Sequence, residues 1–212
     1  MKKLLTNLTI FVVLGVAFSN LTACKRSSID TGDSNAVNPT ETANSNTASG
    51  TANRSSEYPP LASGLADADI ELLDGTKTRV SEKKGKVVML NLWGIWCGPC
   101  REEMPHLVEM QKQYADKGFE VIGLNIGDKD GGPENMDEIK KFGDKTGLNY
   151  TLARFNPMSV RQFYLITKQE VVPQSMIIDR QGHLRAVFIG GGQKVFNSMQ
   201  EVLDKTMAEA AD

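Results

Sequence analysis

Val87-Val88-Met89-Leu90-Asn91-Leu92-Trp93-Gly94-Ile95-Trp96-Cys97-Gly98-Pro99-Cys100 decides the fold of this chain. Its first seven residues form a near-continuous apolar run, as a strand buried on both faces requires. After the cysteines, Met104, Leu107, Val108 and Tyr114 recur near one face of a helix. A buried strand therefore hands the chain to a helix across the two cysteines. Cys97 then falls at the helix N-terminus, where free N–H groups and the helix dipole stabilise an anion. A thiolate held there has a lowered pKa, and the thiolate is the form that attacks. Cys100 lies one turn further in, within reach of Cys97 for a small disulfide ring, and is expected to be the more buried sulfur. Pro99 suits the first turn because it has no N–H to leave unpaired. Trp96 supplies an apolar wall beside the exposed sulfur.

This spacing implies thiol–disulfide exchange. Cys97 attacks a disulfide to form a mixed disulfide, and Cys100 then attacks Cys97 to release the reduced product. The reverse sequence oxidises a dithiol. A zinc site would need four ligands. Outside this pair the sequence offers only His106, His183 and Cys24 as imidazole or thiolate ligands. A purely structural disulfide closing so short a loop would add little stability. Haem attachment needs His directly after the second cysteine, and Arg101 stands there. No metal and no cofactor is assigned.

Working outward, an α/β pattern emerges. Asp69 to Leu73 and Lys77 to Val80 flank Asp74-Gly75 as an N-terminal β-hairpin. Pro105 should kink the helix after the cysteines, and Gly118 should stop it. Glu120 to Ile126 reads as a second buried strand and Pro133 to Thr146 as a helix ending at Gly147. A short strand at Tyr150 to Ala153 and a helix at Ser159 to Thr167 follow. Ser175 to Asp179 and Leu184 to Ile189 read as a second hairpin, and Val195 to Ala208 as the last helix. The expected architecture is a central mixed sheet, parallel at first and antiparallel at the end, flanked by helices on both faces.

The N-terminus has its own logic. Lys2 and Lys3 precede an apolar run from Leu8 to Phe18, then Leu21-Thr22-Ala23-Cys24. A charged start, a short apolar stretch and small residues read as an export signal. The run is too short for a comfortable membrane span. Leu-Thr-Ala-Cys resembles the bacterial lipobox, which makes residues 1–23 a lipoprotein signal peptide and Cys24 the lipidated first residue. Multiple acyl chains would anchor it stably to a membrane. Lys25 rather than Asp follows Cys24, which points to the outer membrane if the cell is Gram-negative. The rest of residues 24–57 is rich in Ser, Thr, Asn, Ala and Gly and reads as a flexible linker. Residues 58–212 form the folded domain. The net charge of −2 and the absence of a basic stripe give no reason to expect nucleic acid.

Trp93 to Cys100, with Glu103 and Pro105 beyond, resembles the thioredoxin superfamily, and within it the membrane-linked TlpA and ResA branch of extracytoplasmic thiol–disulfide oxidoreductases. The resemblance covers roughly residues 60–210. It implies a thioredoxin-like fold with a central insertion at Gly127 to Ile139 and the helix after it. It also implies that Val172-Pro173 is a cis-proline loop beside Cys97, whose Val172 backbone pairs with an extended substrate. Asp128 resembles, one methylene shorter, the strand-end position where ResA-like proteins carry a functional glutamate, so it either tunes the cysteines or shuttles a proton to Cys100, or else is an ordinary solvated loop aspartate. Glu103 matches a motif position and is assigned no role; helix-surface contacts are one reading of it. Val172 stands where Thr is frequent in the branch, and Asp128 stands for Glu.

The resulting expectation is an enzyme that reduces disulfides of exported proteins, with cytochrome c maturation as one setting. A membrane thiol carrier would supply its electrons. A disulfide oxidase or isomerase, a thiol peroxidase and a metal-binding chaperone module remain as alternatives.

Overall fold

The computed structural model describes residues 57–209; the signal, Cys24 and all but the last residue of the linker lie outside them. The described residues form seven strands and five α-helices. After α1 (Ser63–Ala66) come β1 (Ile70–Leu72), β2 (Lys77–Thr78), β3 (Val87–Trp93), α2 (Gly98–Tyr114) and β4 (Phe119–Asn125). Then follow α3 (Met136–Thr146), β5 (Thr151–Phe155), α4 (Pro157–Thr167), β6 (Gln174–Ile178), β7 (Leu184–Ile189) and α5 (Gln193–Ala208).

The sheet has the order β2-β1-β5-β4-β3-β6-β7. Strands β3, β4 and β5 run parallel, whereas β6 pairs antiparallel with β3 and β7 antiparallel with β6. The N-terminal hairpin adds to the other side through antiparallel pairing of β1 with β5. This is the mixed sheet the sequence implies.

Every residue of β3 is buried. Because successive side chains point to opposite faces, Val88, Leu90 and Leu92 join a core with Leu65 of α1 and Phe163 of α4. Val87 and Met89 join a second core with Leu107 and Met110 of α2 and Leu203 of α5. Asn91 and Trp93 share the phase of Val87 and Met89, so their side chains point toward the α2 face. That phase places the polar Asn91 under the cysteine-bearing helix.

Several boundaries differ from the sequence expectation for local reasons. The helix expected from Pro133 starts at Met136, because Asn135 caps it by accepting from the Asp137 N–H. The helix expected from Ser159 starts at Pro157, with Asn156 capping through the Ser159 N–H. Val80 begins a 3-10 turn instead of ending β2. Helix α2 continues through Pro105 to Tyr114, and a short 3-10 turn then leads to Gly118 in the left-handed region. Replacing Leu90, fully buried in β3, by Ala should lower unfolding stability by about 2–5 kcal/mol in urea titration, with an unchanged denaturant slope.

Candidate active site

The β3 to α2 junction builds the site. Cys97 has extended backbone angles and occupies the N-cap of α2. Its sulfur accepts from the Cys100 N–H at 3.2 Å, so it performs the task usually given to a Ser or Asp oxygen. Cys97 and Cys100 form a disulfide with their Cα atoms 5.3 Å apart. Cys97 is 4% exposed and Cys100 1%, which makes Cys97 the accessible member. Pro99 lies in the first turn, as expected.

Two loops converge on this sulfur. The Val172–Pro173 peptide is cis, and the Val172 carbonyl oxygen lies 3.8 Å from Cys97 Sγ. Trp96 is 42% exposed even though its indole N–H donates to the Gly127 carbonyl at 2.9 Å. Its ring is therefore held in one place with an apolar face open to solvent. Gly127 has φ +106, and a Cβ there would meet the Gly132 carbonyl oxygen at 2.2 Å, so this turn requires glycine.

Asp128 is bound into its own loop. Its Oδ1 accepts from the N–H groups of Asp130 and Gly132, and its own N–H donates to the Gly132 carbonyl. The carboxylate closes the loop that anchors Trp96, and none of its recorded contacts reaches a cysteine. The acid buried on α2 is Glu103, to which the sequence reading assigned no role. It is 1% exposed and sits one turn beyond Cys100 on the same face of α2. Asn91 Nδ2 donates to Glu103 Oε2 at 3.1 Å and to Ser175 Oγ at 3.0 Å; the Ser175 hydroxyl donates to Glu103 Oε1 at 3.3 Å. Burial pushes the Glu103 carboxyl up to about 7, against the opposing pull of these two donors. The Tyr150 phenol is also pushed up, first by burial and then by the Glu103 charge. Among the described residues no group of three or more His, Cys, Asp or Glu side chains is arranged to hold a metal ion.

Residues 64–187 match the family model described as the AhpC/TSA family. The chain belongs to that family. Within it, the chain is ResA-like. It is 30% identical over 136 residues to the thiol-disulfide oxidoreductase ResA of Geobacillus kaustophilus, covering 63% of this chain and 73% of the relative. It is 29% identical over 138 residues to the thioredoxin-like protein YneN of Bacillus subtilis, covering 65% and 75%. Among solved structures, a thioredoxin family thiol:disulfide interchange protein from Chlorobium tepidum superposes with a TM-score of 0.57 at 23% identity, over 72% of this chain and 99% of that one. A thiol-disulfide isomerase from Corynebacterium glutamicum superposes with a TM-score of 0.57 at 20% identity, over 73% and 99%. These two show the thioredoxin-like fold. This AhpC/TSA family member is a thiol–disulfide oxidoreductase.

The buried Glu103 makes stability pH-dependent. Its folded pKa of about 7 lies above its ordinary 4.5, so between these values the folded state holds a proton that the unfolded state has lost. Stability should fall as pH rises through that window, by about 3 kcal/mol at most. Urea titrations from pH 4 to 8 should show that slope in the wild type and lose most of it in Glu103→Gln.

Proposed function

We propose that this oxidoreductase reduces disulfides of exported proteins, with Cys97 as the nucleophile and Cys100 as the resolving cysteine. The observation that carries this reading is the capping of α2 by the Cys97 sulfur, beside the Val172 carbonyl. A group already accepting an N–H at a helix start is favoured as an anion. The Cys97 thiolate attacks a substrate disulfide, a Cys97–substrate bond forms, and the first substrate thiolate leaves. Cys100 then gives up its proton, with Glu103 as the acceptor, and attacks Cys97. The second substrate thiolate leaves, and the domain is left oxidised. Two electrons from a membrane thiol carrier restore the dithiol.

Glu103 suits the acceptor role because a carboxyl near pH 7 can both take and return a proton. It lies along α2 from Cys100, whereas Asp128 is committed to its own loop. The exposed face of Trp96 and the backbone of Val172 and Pro173 form the surface on which an extended segment would lie, with Val172 pairing through its main chain. The Gly98-Pro99 dipeptide resembles that of thioredoxin, a reductant, and supports the reductive direction. Cytochrome c maturation, with apocytochrome c as the substrate, is the setting we favour. The lipobox ending at Cys24 supports an extracytoplasmic enzyme held to a membrane by lipid. No helix of the described residues is long and apolar enough to span one.

In a test with a disulfide-bonded peptide and the pre-reduced domain, Cys100→Ser should accumulate a covalent adduct through Cys97, detectable by mass. Cys97→Ser should form none and lose turnover. Adducts on Cys100 in place of Cys97 would reverse the assigned roles.

A further inference from the structure

The segment between α4 and β6, residues 168–173, brings Val172 to the disulfide. Its backbone has little internal support. Beyond the Lys168 N–H closing α4 onto Tyr164, and the Gly190 N–H reaching the Pro173 carbonyl, the backbone bonds described outside helices and strands leave this segment unpaired. The support comes from a side chain. Gln174, the first residue of β6, is 1% exposed. Its Nε2 donates to the Gln169 carbonyl at 2.9 Å and to the Val171 carbonyl at 2.8 Å. Carbonyls only accept, so the amide nitrogen has to face them. The Thr167 hydroxyl adds a third bond, to the Gln169 carbonyl at 3.1 Å.

The spacing of these contacts matters. The Gln174 amide holds the carbonyls of 169 and 171, and the carbonyl of the next residue, Val172, lies 3.8 Å from Cys97 Sγ. Residues 169 and 171 are themselves exposed. Carbonyls released by loss of the amide would turn toward water, so the loop would rearrange without unfolding the domain.

We propose that Gln174 is a positioning residue for substrate recognition: its amide grips the loop from the core side and sets the Val172 backbone edge for pairing with an extended, cysteine-bearing segment. This rests on the reading that Val172 pairs with substrate through its main chain. The Gln174 side chain hydrogen-bonds the loop and not the disulfide, so its effect belongs in binding and not in the thiol equilibrium.

The test uses a disulfide-bonded peptide and the same peptide N-methylated beside its reactive cysteine. In the wild type, N-methylation should raise KM. Gln174→Leu should raise KM for the unmodified peptide about tenfold, the size expected for losing one to two hydrogen bonds. It should also shrink the penalty for N-methylation and leave the equilibrium of the Cys97–Cys100 pair with glutathione at its wild-type value. Gln174→Glu is an independent check, because a carboxylate repels the two carbonyls while a carboxylic acid regains one donor. Its peptide kcat/KM relative to wild type should rise as pH falls. A wild type indifferent to N-methylation would overturn the main-chain pairing reading, and this proposal with it. A wild type that discriminates, alongside Gln174 variants with unchanged KM and a flat pH ratio, would overturn the proposal alone.

Discussion

A sulfur atom stands where helix α2 would otherwise leave its first N–H groups without a partner, and the site depends on that contact. Strand β3 is buried on both faces, so the core determines where the chain leaves the sheet. The helix must start within a few residues of that exit, and Cys97 is the residue at its cap. The bond from the Cys100 N–H to the Cys97 sulfur therefore joins the two cysteines through the backbone as well as through the disulfide. Loss of the disulfide need not remove the cap, because a thiolate accepts the same N–H more strongly than a bonded sulfur does. Fold and chemistry share one geometric requirement at this junction.

Beneath the junction lies a polar group that a core normally rejects. Glu103 is buried on α2 with Asn91 and Ser175 as its hydrogen-bond donors. Full ionisation there would be costly, and the two donors supply only part of the compensation. The result is a carboxyl poised between its two forms near neutrality. The cis-proline loop that faces the sulfur depends on another buried polar side chain, Gln174. The site thus combines a rigid strand and helix with two polar anchors, one below the cysteines and one below the loop that faces them.

Much of this was legible in the residues. Val87–Trp93 was readable because a strand buried on both faces leaves an uninterrupted apolar run. The cysteines were readable because their spacing matches one helical turn at a strand exit. Glu103 was readable in principle: it falls three residues after Cys100 and four before Leu107, inside the apolar stripe of α2. Asn91 is likewise the one polar residue in the β3 run. Two polar exceptions on facing elements signal a buried pair, but each looks like a surface residue or an anomaly when taken alone. Asp128 offered two readings of equal weight, a proton shuttle and a loop aspartate, and its position after a strand could not show that the tight Gly127 to Gly132 turn uses its carboxylate as an acceptor. Gln174 left no pattern, since its contacts depend on how the loop folds back over β6. The starts of α3 and α4 shifted for a similar local reason, as each is set by an Asn cap.

The most direct measurement is the reduction potential of the Cys97–Cys100 pair in the folded domain, equilibrated in defined thiol buffers and read by alkylation and mass. A reductant of exported proteins should give a value near about −270 mV or lower, in the range of thioredoxin. A value near about −120 mV, in the range of a strong oxidant, would contradict the reductive role while leaving the fold and the exchange chemistry in place.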